Sequence, residues 1–366
     1  MRTRRWIGAA ALVAATALLA ACSSGGGSGN SSSSSSGSKS TFDPTAPVKM
    51  TYVSYGGTGQ QAQIDAWQKP YSEKYPNVTF ANSSPPDPAQ VKAQVTSGQV
   101  QWNAVTTAPY LASQNCGTLY QKLTIPNLTA SDYDNGIIGD CYIADFRYSL
   151  VFTYSTDAFP DPAKAPKTIA DFFDTKKFPG KRGIVPTIQD GFLETALLAD
   201  GVKAKDLYPV DVDRALTKWD TIKSDTIFAA NPGALLQDVT SHQVVMEMLV
   251  QARTQAALDA GAHIKPVWDQ TITSIDGLAI PKGSPNTAAI ENFYSFLLQP
   301  EQQAKMASLA GVAPVNKQSK PSYTANGNLV NAFGPANTGT TVPIDADYWG
   351  KNINQATSKV TTWLAG

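Results

Sequence analysis

Few side chains of this 366-residue chain are placed for catalysis. Its two histidines, His242 and His263, stand beside residues typical of loops or helix ends, which favours exposure to solvent over a chemical role. We find no serine-nucleophile elbow, zinc-binding helix or phosphate-binding loop, and no cysteine–histidine cluster with metal-ligand spacing. The sequence therefore predicts a protein that is not an enzyme and that uses no cofactor or metal. A secreted hydrolase that works with paired carboxylates is the alternative.

Polar and aromatic residues instead gather where predicted strands end. In open α/β sheets, ligands bind beyond the carboxyl ends of the strands. Tyr55, Gly57 and Thr58 follow the first predicted strand, and glycine there lets backbone amides approach a ligand. Thr107 ends a later strand. These four residues are candidates for ligand binding. An ordinary turn is the alternative for Gly57, and a structural role is the alternative for Thr107.

Strands and helices alternate along the chain. Runs of β-favouring residues predict strands at 48–55, 78–80, 104–107, 148–154, 183–186, 244–250 and 278–281. Apolar residues at helical spacing and capping signals predict helices around 64–71, 91–95, 168–173, 194–201, 212–222 and 287–298. This rhythm predicts an α/β fold built on a sheet of parallel strands.

The amino terminus has the parts of a secretory signal. Three arginines lie within the first five residues, and an uncharged apolar run, 6–21, ends in Leu-Ala-Ala before Cys22. A membrane-spanning anchor is the alternative, but the run is shorter than the roughly 20 residues that cross a bilayer. We therefore expect the chain to be exported and residues 1–21 to be removed.

The cysteine that follows Leu-Ala-Ala resembles the lipid-attachment site of a bacterial lipoprotein. Lipid on Cys22 would anchor the protein, since each buried methylene contributes about 0.8 kcal/mol. Residues 23–40 are almost entirely serine and glycine, a composition typical of a flexible tether. We interpret residues 22–47 as a lipidated cysteine and a tether on the outer face of the cell membrane, on its periplasmic or extracellular side.

The charge of the chain bears on its binding partners, and its cysteine content bears on disulfide pairing. Removing three arginines with the signal from 29 basic side chains leaves 26, against 29 acidic ones. Because no basic stripe appears, nucleic acid is an unfavourable partner. Cys116 and Cys141 are the remaining cysteines, and an exported chain is expected to pair them, with two buried free thiols as the alternative.

Several segments, in order along the chain, resemble the spermidine/putrescine-type solute-binding proteins of ATP-binding-cassette importers. They are 55–57, 60–67, 92–102, 168–182, 197–201, 207–215, 279–286 and 345–349. The longest is Thr-Ile-Ala-Asp-Phe-Phe-Asp-Thr-Lys-Lys-Phe-Pro-Gly-Lys-Arg at 168–182. Together they cover nearly the whole mature chain.

The resemblance implies a type II periplasmic-binding-protein fold. Two α/β lobes would be joined by a hinge and would close on a solute in the central cleft. We assign 48–155 plus 275–320 to lobe 1 and 156–274 plus 321–366 to lobe 2. The implied partners are a small solute and the permease subunits of an importer, with the solute-binding protein itself a monomer.

The same resemblance implies a polyamine as the solute. A desolvated ammonium group must be paired with an acid, and aromatic faces attract cations. Asp276 falls where the family places a cleft acid, and Asp190 and Glu194 lie near an expected acidic pair, although their spacing departs from the pattern. For these two, a charge at a helix N-terminus is the alternative.

Because this chain departs from the family pattern around the cleft, the resemblance does not fix the identity of the solute. Relatives carry an aromatic residue, Asn and Gly where this chain has 250–252, including Gln251, and aromatic residues on both sides of the cleft acid, where it has Ile275 and Gly277. Arg253 offers a partner for a carboxylate. A smaller amine, an amino acid or another polar metabolite is therefore the alternative to a polyamine.

Overall fold

A computed structural model describes residues 41–366. The predicted signal peptide, Cys22 and most of the predicted tether lie outside the described residues. Residues 41–47 adopt turns and loops and lead into the first strand. Within the described residues, no helix combines the length and the apolar character needed to cross a membrane.

The strands of residues 41–366 join in one mixed sheet. They are β1 (Val48–Val53), β2 (Val78–Ser83), β3 (Ala104–Thr107), β4 (Ile143–Ser155), β5 (Arg182–Ile184), β6 (Thr226–Phe228), β7 (Met246–Val250), β8 (Ile264–Pro266), β9 (Gln270–Ala279) and β10 (Thr340–Pro343). The main path runs β2-β1-β3-β9-β4-β7-β5-β6, while β10 pairs with β9 and β8 with β4.

The predicted parallel pairing is present only toward the two ends of this path. There β1 runs parallel to β2 and β3, and β5 runs parallel to β6 and β7. In the middle, β9 runs antiparallel to β3 and β4, and β4 runs antiparallel to β7. The expectation of a wholly parallel sheet is therefore wrong, because long-range pairing, which no local pattern records, sets the direction of a strand.

The helices lie between these strands, as the α/β rhythm predicts. They are α1 (Gly57–Gln63), α2 (Lys69–Lys74), α3 (Pro88–Ser97), α4 (Pro109–Gln114), α5 (Phe192–Ala199), α6 (Val212–Asp220), α7 (Pro232–Thr240), α8 (Gln251–Asp259), α9 (Thr287–Leu297), α10 (Pro300–Ala310), α11 (Ala325–Val330) and α12 (Ala346–Ala365). A π-helical turn, Ile64–Gln68, joins α1 to α2.

Two local end signals act as the sequence predicts. Gly98 ends α3 in the left-handed conformation at φ 71°, where a glycine has no steric penalty. Thr168 opens the short 3-10 helix Ile169–Phe173 with a reciprocal capping box, in which its side chain accepts from the amide of Asp171. Such local hydrogen bonds fix element ends without help from distant residues.

Buried side chains form two large cores. The first core surrounds β1 and includes Trp67. In it the rings of Tyr71 and Phe293 pack edge to face. The second core surrounds Trp219, whose ring stacks on that of Phe192 at 4.7 Å with 7° between planes. Each core has its own set of helices and strands.

Strands β4 and β9 run through both cores. β4 places Ile143 in the first core and Phe152 in the second, and β9 places Leu278 in the first and Ile272 in the second. The middle residues of these two antiparallel strands therefore lie between the cores. The polar side chains from the middle of the sheet lie in this region between the cores.

Cys116 and Cys141 lie at disulfide-bonding distance, with sulfur atoms 1.99 Å and Cα atoms 5.5 Å apart. This agrees with the pairing expected from the sequence. Cys141 is fully buried beside Val105, Tyr120 and the half-buried Trp102 in a smaller apolar cluster. The bridge thus ties the loop after α4 to the start of β4.

Replacing Cys116 and Cys141 together with alanine should lower the free energy of unfolding by about 3 kcal/mol, because the closed loop of 25 residues then gains freedom in the unfolded chain. Chemical denaturation of the oxidised protein and of the double variant measures the loss. The wild-type protein under reducing conditions serves as the control and should match the variant. Equal midpoints for variant and oxidised wild type would contradict a stabilising bridge.

Candidate functional site

A cavity of about 380 Å³ opens between the two cores, where β4 and β9 cross from one to the other. Its lining comes from elements of both cores. The lining residues are Ala108, Pro109, Tyr110, Tyr148, Gln189, Ser274, Ile275, Asp276, Ile344 and Ala346. No lysine or arginine is among these residues.

Asp276 lies on β9 at the wall of this cavity, with 8% of its surface exposed. Burial raises the pKa of its carboxyl group well above the usual value, and the negative charges of Asp145 and Asp190 raise it further. No positive side chain offsets these effects in the described part of the chain. Within residues 41–366, the carboxyl group of Asp276 therefore forms no ion pair.

Asp190 approaches from the second core, in the short turn Ile188–Asp190 before α5. The Tyr148 hydroxyl on β4 donates a hydrogen bond to Asp190 Oδ1 at 2.7 Å. Burial raises the pKa of Asp190 to about 6, although the bond from Tyr148 opposes the shift. Tyr148, which lines the cavity together with Asp276, thereby holds the Asp190 carboxyl one hydrogen bond from the lining.

Tyrosine rings surround these acids. Tyr55 follows β1 and is 59% exposed. The surrounding protein raises the pKa of Tyr55, and the charges of Asp276 and Asp190 raise it further, so its phenol lies within electrostatic reach of both acids. Burial raises the pKa of Tyr110 to about 12, with a smaller contribution from Asp190.

The structure thus brings Tyr55, Asp190 and Asp276 together. Gly57 and Thr58 begin α1 and are exposed, with open space around Gly57 at φ +60°. Thr107 is buried at the end of β3, paired with Gly277 of β9. Ligand contact by these three residues stays a prediction.

The remaining candidates are engaged in packing or stand apart. Glu194 is fully buried and accepts hydrogen bonds from Tyr208 and from the Trp349 indole, each at 2.8 Å. Gln251 is also buried; it accepts from Ser149 at 3.0 Å and donates to the Gly311 carbonyl at 2.9 Å. The half-buried Arg253 has no side-chain hydrogen bond or ion pair within residues 41–366. A binding role for these three stays a prediction, and none of them lines the cavity.

The absence of an aromatic residue at position 277 has a steric reason. A Cβ atom on Gly277 would lie 3.0 Å from the carbonyl oxygen of Thr107 and 3.3 Å from that of Ile143. Three strands approach closely at this point, so any larger residue would push their backbones apart. The departure from the family pattern therefore lets β3, β9 and β4 pack beside the cleft acid.

Sequence reasoning missed Asp145, Tyr110 and Tyr148. Asp145 stands alone in a β-favouring run, and an isolated acid there was the available signal. Tyr110 follows β3 by a few residues, so the strand-end rule that selected Thr107 reaches it too. Tyr148 carried no local signal, because only the long-range approach of Asp190 gives it a partner. Residues 41–366 hold no cluster of three or more metal-ligating side chains.

Two cores joined by strands that cross between them, with an acidic and aromatic cleft at the crossing, define a two-lobed solute-binding protein. A family model described as "Bacterial extracellular solute-binding protein" matches residues 62–363, so the chain belongs to this family. The fold is the type II periplasmic-binding-protein fold of its structural relatives, as predicted.

Individual relatives agree with this assignment. The γ-aminobutyric acid-binding protein of Pseudomonas aeruginosa is 29% identical over 323 residues, which cover 86% of this chain and 91% of that protein. The Atu4243–GABA receptor structure is 32% identical, with a TM-score of 0.77 over 86% of this chain and 97% of that one. An ABC transporter substrate-binding protein from Bradyrhizobium japonicum is 29% identical, with a TM-score of 0.78 over 87% and 99%.

The comparisons confirm several predictions at their coarser level. The chain is an exported substrate-binding subunit of an ABC transporter that binds a small solute for delivery to a membrane permease. The narrower spermidine/putrescine type and the lipid anchor stay predictions.

Proposed function

We propose that this protein captures a small solute that carries a primary ammonium group, with an ω-amino acid of the γ-aminobutyrate kind as the first candidate. The convergence of Asp276 and Asp190 on one cavity without a lysine or arginine carries this proposal. Two acids without a cationic partner are unfavourable in a buried place unless a positive ligand joins them. Binding, rather than catalysis, is then the function of the cleft.

The cleft offers a fitting partner for each part of such a solute. Asp276 and Asp190 would accept hydrogen bonds from the ammonium group, and charge-assisted bonds of this kind are the stronger ones. The rings of Tyr55, Tyr110 and Tyr148 would present aromatic faces to the cation. Neutral donors on Gln189 and Ser274 would be available to a carboxylate.

A polyamine, the solute first expected from the sequence, is the second candidate. The number of acids favours a polyamine, since Asp145 adds a third carboxyl group close to Asp276. Asp145 and Asp190 both raise the pKa of Asp276, so the acids surround one position, whereas a diamine has two ammonium groups separated by a methylene chain. The cavity lining has no second acidic centre. The γ-aminobutyrate-binding relatives also favour a single ammonium group.

Calorimetry with four matched probes separates these candidates. γ-Aminobutyrate, butylamine, butyrate and putrescine share a four-carbon chain and differ only in their end groups. We expect γ-aminobutyrate to bind, butylamine to bind more weakly and butyrate not to bind. Tighter binding of putrescine would select the polyamine, and binding of butyrate equal to that of γ-aminobutyrate would overturn the ammonium-based proposal.

The proposal includes the lobe boundaries and the anchor expected from the sequence. Lobe 1 is 48–155 plus 275–320 and lobe 2 is 156–274 plus 321–366. Most members of the two cores follow this division, except that Leu150, Phe152 and Tyr154 at the end of β4 pack in the second core. Closure of the lobes on the bound amine should reduce the radius of gyration in solution scattering. The protein acts as a monomer held to the membrane by lipid on Cys22, so Cys22→Ala should release it into the medium.

A further inference from the structure

A fully buried acid lies behind the cleft acid. Asp145 has no solvent exposure and occupies a β-bulge in β4, where the register with β9 shifts between Ala144 and Phe146. Those two residues pair with Gly277 and Asp276, so Asp145 is the extra residue opposite the cleft acid. Bulges commonly re-aim a side chain next to a functional site. Asp145 and Asp276 therefore lie at the same point of the two paired strands, and the charge of Asp145 raises the pKa of Asp276.

The surroundings of Asp145 suit a neutral carboxyl group. Its Oδ2 accepts only a long hydrogen bond, 3.5 Å, from Gln63 Nε2. Its Oδ1 has no hydrogen-bond partner, and neither have the buried Tyr52 hydroxyl and Gln63 Oε1. A buried ionised oxygen without a partner is strongly unfavourable. Burial accordingly raises the pKa of Asp145 to about 7.

The groups that face the two acids provide no positive charge. Tyr52 faces them from β1, Tyr55 from the segment after β1 and Tyr294 from α9. Asp190 faces Asp276 from the turn before α5 and Tyr148 faces it from β4. From α10, Gln303 donates to the Asp145 backbone carbonyl at 2.9 Å. Two adjacent buried carboxylates cannot both ionise in such surroundings.

We propose that Asp145 and Asp276 share a proton in the solute-free protein and that the ammonium group of the solute displaces it. The Asp276 carboxyl group loses its proton to water or buffer. The resulting carboxylate pairs with the ammonium group, which keeps all of its own protons. Capture of one amine therefore releases about one proton. Asp145 acts as a positioning residue that sets how readily Asp276 ionises, and this inference rests on the proposed amine solute.

Calorimetry at pH 6 in phosphate and in MES measures the released protons, because the two buffers accept protons at this pH, differ in ionisation enthalpy and contain no primary amine. With γ-aminobutyrate or putrescine as the probe, we expect release of about one proton per bound molecule. By linkage, the affinity should rise about tenfold per pH unit while one proton is released. Asp145→Asn should release fewer protons at pH 7 and shift the rise in affinity to lower pH.

Two further variants locate the proton. Glu247→Gln removes another buried carboxyl group, far along β7, and should release as many protons as the wild type. Asp140→Asn removes an exposed carboxyl group that pairs with Lys122, so release should persist. Binding without proton release in the wild type, unchanged release in Asp145→Asn, or loss of release in Asp140→Asn would each overturn the shared proton while the proposed function stands. If neither probe binds, the proposed function fails and this inference fails with it.

Discussion

Asparagine at position 276 should weaken binding of the amine by about 100-fold or more, because removing one partner of a buried charge pair costs about 2–5 kcal/mol. Asparagine has nearly the same shape as aspartate but cannot carry the negative charge that the ammonium group needs. Calorimetric titration of Asp276→Asn with γ-aminobutyrate, or with whichever of the four probes binds the wild type, measures the loss.

The same variant should melt at an equal or higher temperature than the wild type. The pKa of Asp276 is raised by burial and by two neighbouring acids, so its ionised form destabilises the solute-free fold. Loss of binding together with unchanged or increased stability is typical of a residue kept for function. Asp140→Asn is a matched control, since Asp140 forms an exposed ion pair with Lys122 at 3.2 Å, and it should leave affinity unchanged. Affinity of Asp276→Asn within threefold of wild type would contradict the proposed site.

Local signals carried most of the successful sequence predictions. The capping box at Thr168 and the left-handed Gly98 involve residues within a few positions, so a pattern of residue types suffices to place them. The strand ends that pointed to Tyr55 are equally local. The family resemblance added Asp276, which the structure places on the cavity wall.

The predictions that departed from the structure depend on distant partners. β9 was predicted only at its last residues, because its earlier half is polar and gains its strand from pairing with β4 and β10. The family resemblance selects Glu194 as part of an acidic pair, and its binding role stays a prediction; the sequence does not show that its carboxylate accepts from Trp349, 155 residues later. No window of sequence contains such a pair.

Asp145 shows why patterns in the sequence did not reveal the rest of the site. Its position next to Asp276 arises from one extra residue in β4, which changes the direction of a side chain without changing the composition of the strand. A site formed where two antiparallel strands cross between two cores combines residues that are more than a hundred positions apart. Pairing register, rather than local propensity, decides which of them meet.

Glutamine at position 247 should raise the free energy of unfolding by about 4 kcal/mol at pH 8, from the linkage between pKa and stability. Glu247 is 1% exposed on β7, and by strand alternation its side chain is on the same face as Leu249, in an apolar cluster with Leu235 and Val239. The Thr153 hydroxyl donates to its Oε1, whereas Oε2 has no hydrogen-bond partner. Burial raises the pKa of Glu247 to about 8, with only the bond from Thr153 opposing the shift.

The direction of the pH dependence follows from that shift. Because the folded protein holds the Glu247 proton more tightly than the unfolded chain, this group favours folding fully below the ordinary glutamate pKa of about 4.5. That contribution is lost as the pH rises toward 8. The wild type should therefore lose stability between pH 5 and 8, and Glu247→Gln, which cannot ionise and still accepts from Thr153, should lose much less.

Thermal and denaturant unfolding at pH 5, 6.5 and 8 tests this difference. Glu73→Gln provides a control, since Glu73 is an exposed side chain on α2, and it should follow the wild type at every pH. Solute affinity of Glu247→Gln should match the wild type, because β7 places this residue away from the cavity lining. If Glu247→Gln unfolds at the wild-type midpoint at pH 8, the Glu247 carboxyl group does not lower the stability of the fold at that pH. Equal stabilisation at pH 5 and pH 8 would instead point to improved packing, which has no dependence on protonation.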